Sequence, residues 1–253
     1  MDPKGRQDVD LLPWDMFWAE SLCVPAEYPQ IAYQAKRRCL AIDPRAKSID
    51  GAWMSISSAL HPRPLVDLVR VAHGADYAKR FETYDFDQAT LYRFSDVCRS
   101  VMEDVGATPG ACTLMHALLA ERVRATLDAP FAVVAGALKI NGTYIFGNNA
   151  PISGDRVFSE TTPDFEGHVW MVFGRYLVDV SLARTALSGR GHPLLERTIR
   201  KQFGPKTGLF AMPTGEARRA GLLYLARYVL TDAQIGPLAQ GAKRCFGLDA
   251  DTE

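Results

Sequence analysis

The stretch GHVWMVFGRYLVDVS, residues 167–181, contributes most to the prediction of the fold. Two runs rich in aromatic and β-branched residues flank Gly174 and Arg175, and this pattern predicts a β-hairpin with a two-residue turn. With that turn, Phe173 pairs with Tyr176, and the register of the whole hairpin follows from this pair.

The predicted register brings polar side chains to one face of the hairpin. Trp170 lies opposite Asp179 and His168 lies opposite Ser181, so His168 and Asp179 are diagonal neighbours, about 7–8 Å apart at the backbone. An aspartate at this spacing can accept a hydrogen bond from one imidazole nitrogen and leave the other nitrogen free. Each residue taken alone also has a non-catalytic interpretation. His168 is then a structural histidine, and Asp179 is an edge-strand acid that points into water.

A second hairpin is predicted immediately before this one. The runs FAVVAGALKI, residues 131–140, and TYIFG, residues 143–147, are separated by Asn141 and Gly142. Asn-Gly between two β-prone runs is the strongest short signal for a hairpin. After a looser segment, 147–166, the chain enters the hairpin described above, so we expect an antiparallel meander of about four strands.

Helical patterns surround the strands. Apolar residues recur at helical spacing over 111–127, which predicts a buried central helix packed on the sheet. Helices before and after the strands complete an α+β fold in one compact domain. We expect a helical N-terminal region, 1–104, that packs on a core, 105–190, and a mainly helical C-terminal region, 191–253. The other predicted helical stretches are 1–50 (with a separate short helix Tyr28–Arg38), 60–80, 86–104, His192–Phe203 and Ala217–Leu230.

Cys112 follows Pro109, Gly110 and Ala111 at the predicted start of the central helix. A thiol at this position faces backbone N–H groups without intrahelical acceptors and the positive end of the helix dipole, and both stabilise a thiolate. The same N–H groups can hold a developing oxyanion, and Gly110 suits a close approach to the helix. The alternative is a buried cysteine that only happens to begin a helix.

Composition excludes several classes of protein. Lys plus Arg and Asp plus Glu both number 29, so no global field attracts nucleic acid. The five cysteines are scattered, without a CxxC or Cys/His cluster, and we expect free thiols rather than disulfides or a zinc site. No apolar run approaches the ~20 residues of a membrane span, and the N-terminus is unlike a signal peptide. We therefore expect a cytoplasmic protein without membrane attachment.

The order of these motifs resembles the transglutaminase-like branch of the papain-fold cysteine enzymes. The resemblance rests on GACTLM at 110–115, HVW at 168–170 and LVDVS at 177–181, and covers roughly residues 105–185. In that superfamily a cysteine begins the central helix, a histidine opens a strand and an aspartate lies on the next strand. This chain differs in the compact interval between histidine and aspartate and in its flanking helices, which match no pattern of the family.

The resemblance implies that Cys112 is the nucleophile, His168 its base and Asp179 the group that orients the base. The implied reaction is acyl transfer through a thioester, with a peptide, amide or protein as substrate and with no cofactor or metal. No motif places the side chain that often completes the oxyanion hole, and the candidates are Gln88 and Tyr92. Further residues are predicted to support the site from nearby positions. They are Trp170, Ser181, His116 and Gly110.

Three functions fit these expectations. The first is a thiol hydrolase of amide or peptide bonds, in which water resolves the thioester. The second is an acyltransferase of transglutaminase or acetyltransferase type, in which an amine does so. The third is a catalytically inactive papain-fold module that binds peptide or protein, a role that the unmatched flanks, over half of the chain, would suit.

Overall fold

The computed structural model of the protein describes residues 63–106, 108 and 110–248, which lie within one compact unit, Ser57–Glu253. The predictions made for residues 1–62 fall outside the described residues. The described part contains nine helices and six strands. In chain order they are α1 (Arg63–His73), α2 (Ala75–Thr83), α3 (Gln88–Val105), α4 (Cys112–Thr126), β1 (Phe131–Ile140), β2 (Thr143–Phe146), α5 (Gly154–Val157), β3 (His168–Phe173), β4 (Tyr176–Asp179), α6 (Leu182–Leu187), α7 (Pro193–Phe203), β5 (Phe210–Pro213), α8 (Thr214–Arg219), β6 (Leu222–Val229) and α9 (Asp232–Phe246).

The strands form one antiparallel sheet in the order β2-β1-β3-β4-β5, with β6 paired to β1. Within β1, residues 131–136 pair with β3, residues 138–140 pair with β2, and residues 134–140 pair with β6. Because a strand has only two edges, β6 occupies one edge of β1 while β3 and β2 share the other. The α+β class is confirmed, with six strands in the described part where about four were expected.

Both predicted hairpins are confirmed. Asn141 and Gly142 have φ values of 49° and 85°, as a type I′ turn requires at both central positions. The β1–β2 pairing shifts register between Leu138 and Lys139. In the second hairpin Phe173 pairs with Tyr176, as predicted, and Met171 pairs with Val178, so the two-residue turn sets this register locally.

The helix predicted over Ala217–Leu230 is wrong. Helix α8 ends at Arg219, and Gly221, with φ 83°, turns the chain into strand β6. Residues 222–229 pair with β1 and hydrogen-bond to the edge of β1 that β2 and β3 leave unpaired. Leucine, tyrosine and valine suit a helix or a strand, and the choice here is made by a pairing partner some 85 residues earlier in the chain.

Helices cover both faces of the sheet, so the central strands are apolar on both sides. Val133 and Met171 pack with α3, α4 and α9 in one buried cluster, whereas Val134 and Trp170 pack with α1 and α2 in another. A third cluster joins α6, α7, β5 and α8 to the far end of β1 and β6. None of the helices in the described ranges combines the length and apolar character that a bilayer span requires.

Candidate active site

The β3–β4 hairpin brings a histidine and an aspartate into contact. His168 opens β3 and Asp179 ends β4, and the distance from His168 Nε2 to Asp179 Oδ2 is 2.5 Å. Both side chains are buried, with 2% of His168 and none of Asp179 exposed. Diagonal neighbours on adjacent strands therefore form a direct, charge-assisted hydrogen bond away from solvent.

The other carboxylate oxygen of Asp179 is held by the start of helix α6. Oδ1 accepts hydrogen bonds from the Ser181 amide at 3.0 Å, the Ser181 hydroxyl at 3.0 Å and the Leu182 amide at 2.9 Å. These donors fix the plane of the carboxylate and favour its ionised form. Asp179 thus caps α6 with one oxygen and presents the other to His168.

Tyr224 also contacts the candidate site, and it is not among the residues predicted from the sequence. Its hydroxyl donates to Asp179 Oδ2 at 3.0 Å, the same oxygen that bonds His168. Tyr224 lies on β6, opposite Leu138 of β1, and reaches the site only because β6 joins the sheet. No local signal indicates it, because LLYLARYV, residues 222–229, is almost continuously apolar and suits a helix as well as a strand.

Cys112 begins helix α4, as predicted, and its thiol meets the imidazole of His168. The Cys112 thiol and the His168 imidazole lie close enough for each to shift the pKa of the other. Because Nε2 of His168 bonds Asp179, Nδ1 is the ring nitrogen left for the thiol. Nine per cent of Cys112 is exposed. The three residues proposed from sequence as nucleophile, base and orienting acid therefore lie in one continuous chain of side chains.

The pKa of the Cys112 thiol reflects two opposing effects. Burial raises it, but the hydrogen bond and the charge of His168, together with the Val169 amide, lower it by more, so the pKa lies below its ordinary value. Cys98 shows what burial does alone, because that fully buried thiol has a strongly raised pKa. The difference between these two cysteines comes mainly from the imidazole.

The histidine and the aspartate stabilise each other's charged form. Burial lowers the pKa of His168, but the charges and hydrogen bonds of Asp179 and Cys112 together outweigh it and raise the pKa to about 10. Burial raises the pKa of Asp179, but the charge and hydrogen bond of His168, with smaller effects of His116 and the Ser181 amide, bring it well below its usual range. At neutral pH the site therefore holds an imidazolium between a carboxylate and a thiol of lowered pKa.

His116 ties the start of the helix to the strand that carries the aspartate. Its Nδ1–H donates to the Cys112 carbonyl at 2.8 Å, and its Nε2 accepts the Val180 amide at 3.4 Å. Burial lowers the pKa of His116 despite the charge of Asp179, whose Oδ1 lies 3.9 Å from Nε2. A neutral His116 therefore links α4 to Val180, the residue that follows β4.

Aromatic rings enclose the imidazole of His168. Phe146 stacks on it at a centroid distance of 5.0 Å, and Trp170 lies at 6.2 Å. The Trp170 ring fits beside β1 because residue 136 of that strand, the partner of His168 on β3, is a glycine. A Cβ atom on Gly136 would lie 3.0 Å from the Trp170 ring and 2.0 Å from the Leu225 carbonyl oxygen. The rings exclude water from the ion pair, which strengthens it.

Three further residues are predicted from the sequence to belong to the site, namely Gly110, Gln88 and Tyr92. Gly110, with φ 80°, makes the turn into α4, a conformation that favours glycine. The Gln88 amide donates to the Tyr92 hydroxyl at 2.8 Å at the start of α3, and a role for either in the oxyanion hole stays a prediction. Within the described ranges, no group of three or more His, Cys, Asp or Glu residues is placed to hold a metal ion.

We compared the chain with protein family models, with curated protein sequences and with solved structures, and none of the three comparisons gives a match.

Proposed function

We propose that the protein is a thiol-dependent acyl-transfer enzyme that cleaves amide or peptide bonds through a thioester on Cys112. The observation that carries this proposal is the position of His168, which is bonded to the Asp179 carboxylate and lies beside the Cys112 thiol. An activated thiol, a base and a group that orients the base are what nucleophilic catalysis by cysteine requires.

The chemistry follows from the charge state of the site. The Cys112 thiolate attacks the carbonyl carbon, and the negative charge passes to the carbonyl oxygen, which the backbone N–H groups at the start of α4 can hold. The His168 imidazolium gives its proton to the leaving amine, and a thioester remains on Cys112. Neutral His168 then takes a proton from water as the water attacks the thioester, which releases the acid and restores the thiolate–imidazolium pair.

The proposal extends to the fold. A helix that begins at Cys112, followed by an antiparallel hairpin that carries His168 and Asp179, suits a transglutaminase-like core of the papain type over residues 105–190. Three helices precede this core in the described part, and α7, β5, α8, β6 and α9 follow it. The strand β6 after this core is what supplies Tyr224 to the site.

The acyl acceptor distinguishes two versions of the enzyme. Hydrolysis is the leading version because water is always present at an amide-cleaving site. An amine that reaches the same thioester would make the protein an acyltransferase of transglutaminase or acetyltransferase type. Product analysis with and without added amine separates the two versions, since only the acyltransferase gives an amide product at the expense of the acid.

Trapping the thioester tests the proposal. Incubation with an activated ester such as p-nitrophenyl acetate should place one acyl group on Cys112, because the lowered thiol pKa makes it the strongest nucleophile present. Intact mass and peptide mapping would locate the group, and hydroxylamine should remove it. Cys245→Ser is the matched control and should acylate like the wild type, whereas Cys112→Ser should not. Equal acylation of Cys112→Ser and wild type would contradict the proposal.

A catalytically inactive peptide- or protein-binding module is the second candidate. The low exposure of the site favours it, since only 9% of Cys112 and 2% of His168 are exposed. A Cys112→Ala variant distinguishes it from both enzymes. If this variant keeps the cellular effect of the wild type, a binding role is supported and the thiol chemistry is not needed.

A further inference from the structure

Among the described residues, Tyr224 makes the one hydrogen bond to the Asp179 carboxylate that comes from outside the predicted core, residues 105–190. Asp179 Oδ2 accepts two hydrogen bonds, from His168 Nε2 at 2.5 Å and from the Tyr224 hydroxyl at 3.0 Å. The hydrogen bond from Tyr224 matters because the three donors on the other oxygen, Oδ1, all come from residues 181 and 182, at the start of α6. Oδ2 is the oxygen that bonds His168, and its second hydrogen bond comes from Tyr224 on β6.

The Tyr224 ring is itself fixed by its neighbours. It meets Trp170 edge-to-face at a centroid distance of 5.1 Å and lies 6.0 Å from the His168 ring. Pairing of β6 with β1 sets the backbone position through the Tyr224–Leu138 pair. Burial, with the Asp179 charge second, raises the pKa of Tyr224 well above its ordinary value, so the hydroxyl keeps its proton and remains a donor.

We propose that Tyr224 is a positioning residue, which acts through Asp179 to hold the His168 ring in the orientation that ionises Cys112. This inference rests on the proposed function. Without the hydroxyl, the Oδ2 oxygen is free to move from the line of His168 Nε2, and the imidazolium pairs less well with the thiolate. The pair consists of His168 on β3 and Cys112 on α4. The other charged and titratable groups around it are Asp179 on β4, His116 on α4 and Tyr224 on β6.

The test is the pH dependence of Cys112 alkylation by iodoacetamide in the full chain, followed by peptide mapping. Tyr224→Phe should move the midpoint of the acid limb to higher pH and slow the reaction on that limb by about three- to tenfold, a part of what a hydrogen bond to a charged group contributes. The plateau rate above the limb should stay close to that of the wild type. A purely structural role would change the plateau through access and leave the midpoint in place.

Tyr228→Phe is the matched control, since it makes the same change on the same strand. The Tyr228 hydroxyl bonds Gln234 and Asp155 rather than Asp179, and its removal should leave the midpoint unchanged. Thermal unfolding checks that each variant folds, and Tyr224→Met, which also lacks the hydroxyl, replaces Tyr224→Phe if that variant does not. A wild-type midpoint, or a lower one, in folded Tyr224→Phe or Tyr224→Met would overturn the role of Tyr224 alone. If wild-type Cys112 alkylates no faster than Cys98 at any pH, the proposed function fails and this inference with it.

Discussion

Replacement of Asp179 by alanine is expected to lower the free energy of unfolding by about 3–5 kcal/mol, the range for removal of one partner of a buried ion pair. The carboxylate is fully buried and accepts five hydrogen bonds, from His168, Tyr224, Leu182 and both donors of Ser181. Alanine leaves these donors without their acceptor and leaves His168 buried without its counter-charge. Urea unfolding of the two proteins at about pH 6 measures the difference.

The pH dependence of this difference has a definite sign. The lowered pKa of Asp179 gives stability that is present above its unfolded value, about 3.9, and is lost as the pH falls through the folded value. The raised pKa of His168 gives stability that is complete below its unfolded value, about 6.5. That stability is lost as the pH rises through about 10. The difference should therefore be largest between about pH 4 and 6.5.

Ser181→Ala is the control for the loss of a single donor. It removes one of the three hydrogen bonds on Oδ1 and should lower the free energy of unfolding by about 1 kcal/mol. A loss in Asp179→Ala as small as that in Ser181→Ala, or one that does not change between about pH 3 and 6, would contradict the charged pair.

Replacement of His168 by glutamine should slow alkylation of Cys112 by on the order of 100-fold at neutral pH, the lower end of the contribution of a positioned base. The reason is that His168 supplies the hydrogen bond and the charge that lower the thiol pKa against burial. Glutamine can hydrogen-bond but cannot carry the positive charge. The effect of burial, which raises the thiol pKa, is then opposed without the charge of an imidazolium. Stopped reactions with iodoacetamide, quantified by peptide mapping, give the rates.

His116→Gln provides the matched comparison, because it makes the same change at the other buried histidine beside Cys112. His116 bonds the Cys112 carbonyl rather than the thiol, and burial lowers its pKa. We expect a much smaller loss of reactivity in this variant than in His168→Gln. Equal losses in the two variants would mean that the thiol responds to packing at the start of α4 and not to the charge of one imidazole.

The part of the site that the sequence predicted is the part encoded by neighbouring residues. The two-residue turn at Gly174 and Arg175 sets the register of the hairpin, and the register places His168 beside Asp179. The start of α4 at Cys112 follows from the glycine turn before it and the apolar helical pattern after it. Each of these features depends on fewer than about 15 consecutive residues, so a local pattern is sufficient to indicate it.

The parts that the sequence did not predict depend on distant partners. The segment Leu222–Val229 contains residues that suit either a helix or a strand, and only the free edge of β1 makes it a strand. Tyr224 could not be placed at Asp179 without that pairing. The link that His116 makes to Val180 likewise joins residues 64 positions apart. Periodicity reports what one segment prefers and not which distant segment it meets.

The central claim is that Cys112 is ionised by His168, and the alkylation of wild-type Cys112 across pH tests it most directly. Cys98 and Cys245 in the same sample are internal references, one buried and one exposed. At about pH 6, where an ordinary thiol is almost fully protonated, Cys112 should react faster than the exposed Cys245 despite its own burial. If Cys112 instead lags behind Cys245 at every pH, as the buried Cys98 should, no thiolate–imidazolium pair exists at the start of α4.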